Sequence, residues 1–262
     1  IWGLGNIIGD SVELRQLVVK SGVLNKLIII LAQNKSMNIQ KHIIWCLSNA
    51  LRIKPKKEAY VTMKNSVIAL ISAFNSYADQ EIKTDCLFGV SEYCKPNLLT
   101  YFTDDLFLES LRKFYQHLYT MNPTYAEIKP EISAIHKIIG NITNGDDFDT
   151  GKVIDQGFLK DLCVLLKTED DMCKREICWI LSNIAAGTSG QIDSLLNEPN
   201  LFDNLVNLLY NSKKEIQREA LWAICNMTKN CNNLQLNYLI QHNIFMVFKE
   251  FLNKDKDTKI II

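Results

Sequence analysis

Neither sign of charge is in excess in this chain: Lys and Arg number 29, and so do Asp and Glu. The balance excludes a uniform field for nucleic acid or an anionic membrane, though a neutral total can hide a polarised groove. Proline and glycine are scarce, at 5 and 11 of 262 residues, which argues against a turn-rich or disordered chain. No apolar run reaches bilayer-spanning length and no signal-peptide pattern is present, so neither a membrane nor nucleic acid is an expected partner. The 8 cysteines contain no CxxC pair. Cys46, Cys86, Cys163, Cys178 and Cys225 lie among apolar helical residues, where a thiol acts as a small hydrophobe in a reducing compartment. His42, His117, His136 and His242 are scattered, and no nucleophile–base pair appears; no enzyme, metal or cofactor is expected. Gly3, Gly5 and Gly9 resemble a dinucleotide fingerprint but share a helix with Trp2 instead of following a strand, so that reading is set aside. Sequons at Asn34, Asn141 and Asn226 are expected to be chance matches. The chain opens on Ile1, inside a helical pattern, which suggests a fragment.

What the chain does have is one repeated motif. Trp2, Trp45, Trp179 and Trp222 are each followed four residues later by Asn6, Asn49, Asn183 and Asn226. On a helix that spacing puts indole and carboxamide on one face. Trp2 to Trp45 is 43 residues, as is Trp179 to Trp222; Phe88 and Lys137 hold the intervening places, 49 apart. Gly22, Asn65, Gly157, Asn200 and Asn243 keep the same time between apolar stretches, with Asp105 as an irregular counterpart. Gly and Asn tolerate the left-handed conformation that ends one helix sharply before the next.

Each unit reads as three helices, for example 11–21, 23–33 and 37–53, or 188–198, 201–211 and 213–229. Three helices per repeat of this length predict an all-α armadillo-repeat array, a right-handed superhelix or α-solenoid. The expected organisation is a single array over 1–262. It comprises a partial repeat 1–10, repeats at about 11–53, 54–95, 96–145, 146–187 and 188–230, and a partial repeat 231–262. The longer central step predicts a loop insertion near Tyr119–Lys129, broken by Pro123 and Pro130, the latter tolerable only in a first helical turn.

Third helices of stacked repeats line a groove, with neighbours about 8–10 Å apart. Indoles on such a ladder form slots for long basic side chains. The asparagine amides can hold an extended peptide backbone without reading its sequence. Glu176 and Glu219 lie three residues before a tryptophan, Asp85 three before Phe88, and Asp10 closes the turn after the first ladder unit. These carboxylates would read the charge. The alternative is that tryptophan is simply core.

WGLGNIIGD, WCLSNALRIKP, IIGNITNGDDFDT, REICWILSNIAAG and REALWAICN resemble the third, fourth, sixth, seventh and eighth repeats of importin-alpha. The resemblance runs along essentially the whole chain, roughly the third to ninth repeats. It implies a nuclear import adaptor that binds basic nuclear localisation signal peptides of cargo, found in cytoplasm and nucleus. Trp2, Asn6, Asp10, Trp45, Asn49, Arg52 and Asp85 match major-site positions, incomplete without a second-repeat ladder. Asn141, Thr143, Gly145, Thr150, Glu176, Trp179, Asn183, Glu219, Trp222 and Asn226 match minor-site positions. Phe88 and Glu92 stand where the family has Trp and Tyr, Cys94-Lys95-Pro96 replaces a Thr-Asp-Gly turn, and Lys137 replaces an arginine. The resemblance also implies importin-beta as partner, through an N-terminal segment absent here, and an export receptor. The alternative is an armadillo scaffold of adhesion or signalling type that binds another extended peptide; such scaffolds line the groove with Lys and Arg.

Overall fold

A computed structural model describes residues 1–52, 60–121 and 124–254. Among these, every regular element is helical and no helix is long and apolar enough to cross a membrane. The chain divides into two compact units, Ile1–Ile138 and Ile139–Ile262.

The first unit contains α1 (Trp2–Asp10), α2 (Val12–Lys20), α3 (Val23–Gln33), α4 (Met37–Ala50), α5 (Tyr60–Ser76) and α6 (Gln80–Ser91). A 3-10 turn (Pro96–Leu98), α7 (Leu99–Phe102) and α8 (Asp105–Thr120) follow, then most of α9 (Tyr125–Thr143). Gly22 at φ 76° makes the left-handed junction between α2 and α3. Asn65 does not repeat it: it lies inside α5, so the first two helices of that repeat are fused into one. Asparagine permits the left-handed conformation without requiring it. Asp105 opens α8 with ordinary geometry, while Asp104 caps the helix by accepting the Phe107 N–H at 3.2 Å. Behind this junction Phe74, Phe102, Phe107 and Phe114 form an edge-to-face cluster with ring centroids 5.6–5.7 Å apart.

The expected insertion is narrower than its predicted span. α8 runs through Thr120 and α9 starts at Tyr125, so the break is confined to 121–124. Pro123 falls outside the described residues. Pro130 sits in the second turn of α9, not the first. Its missing N–H falls where the Ala126 carbonyl would otherwise be bonded, and its ring is exposed, on the outside of the packing.

The second unit comprises the end of α9, then α10 (Asp147–Asp155), α11 (Phe158–Leu165), α12 (Asp171–Ala185), α13 (Ser189–Asn197), α14 (Leu201–Asn211), α15 (Lys214–Asn230), α16 (Asn233–Gln241) and α17 (Ile244–Lys254). Gly157, Asn200 and Asn243 take φ of 82°, 62° and 60° at the α10–α11, α13–α14 and α16–α17 junctions. Side-chain caps begin these helices. Asp170 accepts from Cys173, and Thr188 with Gln191 and Asn232 with Gln235 form full capping boxes. Leu205, Leu208 and Leu209 of α14 pack inward with Ile216, Ala220 and Ala223 of α15.

All eight cysteines are free thiols, and Cys46, Cys86, Cys163 and Cys178 are buried. Burial pushes Cys46 up to about 11 and Cys163 up to about 12, so neither is a reactive thiolate. Gly3, Gly5 and Gly9 belong to α1, with no strand before them among the described residues.

Candidate functional site

The tryptophans are not ordinary core residues. Trp2 is 64% exposed and Trp222 52%, while Trp45 and Trp179 are half-buried. The latter two rest on a glycine of the preceding third helix. A Cβ at Gly5 would lie 2.1 Å from Trp45 Cζ3, and one at Gly140 1.9 Å from Trp179 Cζ3. Only a bare backbone lets the ring lie that close.

In the first unit Trp2 and Trp45 line a cavity of about 340 Å³ together with Asn38, Lys41, His42, Glu81 and Asp85. Two aromatic walls and two carboxylates make a chamber suited to a long cationic side chain. Of these residues, the sequence singles out Trp2, Trp45 and Asp85 and misses Lys41 and Glu81. A signal was present: Lys41 precedes Trp45, and Glu81 precedes Asp85, by one helical turn. A second cavity, of about 630 Å³, is lined by Arg52, Phe88, Ser91, Glu92, Pro130, Ser133, Ala134 and Lys137. Here the Lys137 ammonium pairs with Glu92 at 2.7 Å where a ladder indole would stand.

Asp85 is held up to about 6, first by burial and then by repulsion from Glu81; Arg52 and Lys41 oppose the shift. A carboxyl raised in the folded state destabilises the fold as pH climbs from its unfolded value, about 4, to about 6, and the loss persists above that. Asp85→Asn should therefore raise unfolding free energy at pH 7 by about 1 kcal/mol, discounted for partial solvation, and give no gain at pH 4. Urea titrations at both pH values check this. The same substitution should weaken binding of a basic ligand at this cavity.

The asparagines behave differently from their sequence expectation. Asn6 is exposed, but Asn49 is 3% exposed and presents no carboxamide to solvent. Asn183 Nδ2 donates to the Gly140 carbonyl at 3.2 Å and to Thr143 Oγ1 at 3.5 Å. Asn226 Nδ2 donates to the Ser182 carbonyl at 3.0 Å and to its Oγ at 3.2 Å. Asn230 reaches the Ala186 carbonyl at 2.9 Å, Gln191 that of Asp147 at 2.7 Å, and Gln235 that of Ser189 at 2.6 Å. Within the second unit an amide ladder thus fastens successive repeats together and satisfies polar groups that burial would otherwise penalise. In Asn183 and Asn226 the amide oxygen remains the group suited to accept a peptide N–H.

Around this ladder the other expected residues divide. Glu176 and Glu219 are half-buried one turn before Trp179 and Trp222, and Glu219 pairs with Arg218 at 3.5 Å. Asn141 is half-buried; Gly145 and Asp10 are exposed, and so is Arg52. Thr143 and Thr150, expected to face a ligand, are buried at 4% and 3% exposure. Their hydroxyls serve the chain itself: Thr143 donates to the Gly140 carbonyl, and Thr150 sits within reach of the Thr143 and Asp146 carbonyls. They shape the α9–α10 turn.

Repeated three-helix units whose third helices carry exposed or glycine-seated indoles define an armadillo-repeat, peptide-binding scaffold. The armadillo/beta-catenin-like repeat family matches residues 11–52, 150–186 and 189–229. Importin subunit alpha-5 of Arabidopsis thaliana is 30% identical over 257 residues, covering 96% of this chain and 47% of that protein. Importin subunit alpha-8 of the same plant is 30% identical over 265 residues, covering the whole chain and 57% of the relative. Importin subunit alpha-1b of Oryza sativa subsp. japonica is 33% identical over 183 residues, covering 68% and 32%. A designed armadillo repeat protein in complex with the peptide (KR)4 shares the fold at TM-score 0.68 and 19% identity, covering 86% of this chain and 90% of its own. An engineered protein superposes at TM-score 0.76 and 21% identity, covering 98% and 60%. The chain belongs to the importin-alpha family, as a run of its armadillo repeats. It spans about half the length of the two plant relatives that it matches end to end.

Proposed function

We propose that this chain is the cargo-holding part of a nuclear import adaptor. It binds lysine- and arginine-rich localisation signals as extended peptides along its Trp/Asn faces. The observation that carries this reading is the cavity between Trp2 and Trp45, where two indoles stand beside Glu81 and Asp85. Trp179 and Trp222, with Glu176 and Glu219 one turn before them, repeat the same chemistry in the second unit. Supporting it, the similar plant proteins carry the importin alpha name, and a fold relative binds a peptide of alternating lysine and arginine. The adaptor reading brings with it importin-beta and an export receptor as partners of the longer protein, and residence in cytoplasm and nucleus.

Each slot contributes about 0.5–2 kcal/mol through cation–π contact. Micromolar affinity needs about 8 kcal/mol, so several slots and amide clamps act together. Titrating the full chain with a lysine-rich peptide and with its glutamate-swapped counterpart tests the reading. Micromolar binding of the first, at least tenfold weaker binding of the second, and weakening by salt are expected. Equal affinities, or preference for the acidic peptide, would replace the adaptor with a scaffold of other specificity.

A further inference from the structure

The cavity between Trp2 and Trp45 contains a cation of its own. Lys41 lies on α4 one turn before Trp45, and its ammonium is 2.9 Å from Asp79 Oδ2 and 2.6 Å from Glu81 Oε2. Both carboxylates belong to the start of α6, where Asp79 also caps the helix through the Ile82 N–H at 3.1 Å. Hydrogen bonds to Glu81 and then Asp79 hold Lys41 above its ordinary value, so it stays charged across the working range. One turn further along α6 is Asp85, half-buried on the same cavity wall.

The three carboxylates are therefore not equivalent towards an incoming ligand. Asp79 and Glu81 are already shared by an ammonium that belongs to the protein. A ligand cation that approached them would meet a like charge at a few ångströms, an unfavourable contact that solvent screens at this exposed pair but does not cancel. Asp85 is the carboxylate that a ligand lysine between the two indoles can neutralise, and doing so also relieves its repulsion with Glu81.

We propose that Lys41 is a specificity-determining residue, which reserves the Asp79–Glu81 pair and so limits this cavity to one basic side chain of the bound peptide. This rests on the basic-peptide reading above and deepens it. It makes the first unit a reader of one lysine position, with the flanking residue of the peptide free to be uncharged.

The test uses the full chain carrying Trp179→Ala and Trp222→Ala, so that the slots of the second unit contribute little. The probe is a fluorescein-labelled pentalysine peptide and its five single lysine-to-alanine versions, followed by polarisation. With Lys41 present, one position of the peptide should matter most. With Lys41→Met, which keeps the stem but drops the charge, pentalysine should bind about fivefold tighter. A second position should become sensitive, and the salt dependence should steepen. Lys41→Arg should retain the original pattern. Lys113→Met, which removes a charge from the exposed pair with Glu109, should change nothing.

Unchanged or weaker binding by a folded Lys41→Met protein would overturn the proposal while leaving basic-peptide binding intact. An equal gain from Lys113→Met would overturn it too, by tracing the effect to net charge. No pentalysine binding by the chain with all four tryptophans in place would sink the basic-peptide reading, and this one with it.

Discussion

The double substitution Trp179→Ala with Trp222→Ala should cut affinity for a lysine-rich peptide by more than about 100-fold, the sum of two slots at about 1.4 kcal/mol each. The two changes should differ in their cost to the fold. Trp222 is 52% exposed, so its loss removes a binding surface and little packing. Trp179 lies half-buried on Gly140, and truncation there leaves a void. A stability loss of about 2 kcal/mol is expected from Trp179→Ala and under about 1 from Trp222→Ala. The glycine seat is what separates Trp179 from Trp222. Peptide titration beside urea denaturation separates the two effects, and normal peptide binding by the folded double variant would refute the slot mechanism.

Gly140→Ala is the second large effect. In an ordinary helix interior this change stabilises by about 1 kcal/mol, because alanine has less backbone entropy to lose. Here the new methyl would lie 1.9 Å from Cζ3 and 2.4 Å from Cη2 of Trp179, inside a ring that cannot deform. Either the indole swings out or α9 and α12 separate, and the latter strains the Asn183 bond to the Gly140 carbonyl. A net destabilisation of about 2–4 kcal/mol is expected, with peptide binding lost. Gly140→Ala combined with Trp179→Ala should recover about 1–2 kcal/mol of that, since the clash needs both partners. Additive losses would mean that the ring does not rest where the structure puts it.

Much of the fold was legible because it is written in backbone-level residues. Gly22, Gly157, Asn200 and Asn243 occupy the left-handed junctions that their spacing predicts. Asn65 failed because the same residue also fits a helix interior, and only the packing of α5 decides between them. The candidate site was legible in its aromatic part and less so in its polar part. Helical spacing places Asn49 on a tryptophan face and the family resemblance adds Thr143 and Thr150, but neither says which neighbouring helix covers them. The Lys41 pairing joins residues about 40 apart in sequence, across a fold that must exist before they meet. A search for carboxylates three residues before each tryptophan finds Glu176 and Glu219 and passes over a lysine one position away.

The amide ladder also acts as a ruler. By tying Asn183 and Asn226 to the third helix before them, it fixes the rungs at a helix-packing distance of about 8–10 Å. An extended peptide returns to the same side every two residues, about 6.8 Å. The two scales agree to roughly 1–3 Å at one step and drift apart at the next, like a vernier. On the basic-peptide reading, a lysine tract meets successive rungs with a growing offset that its long side-chain stems must span for several slots to act together.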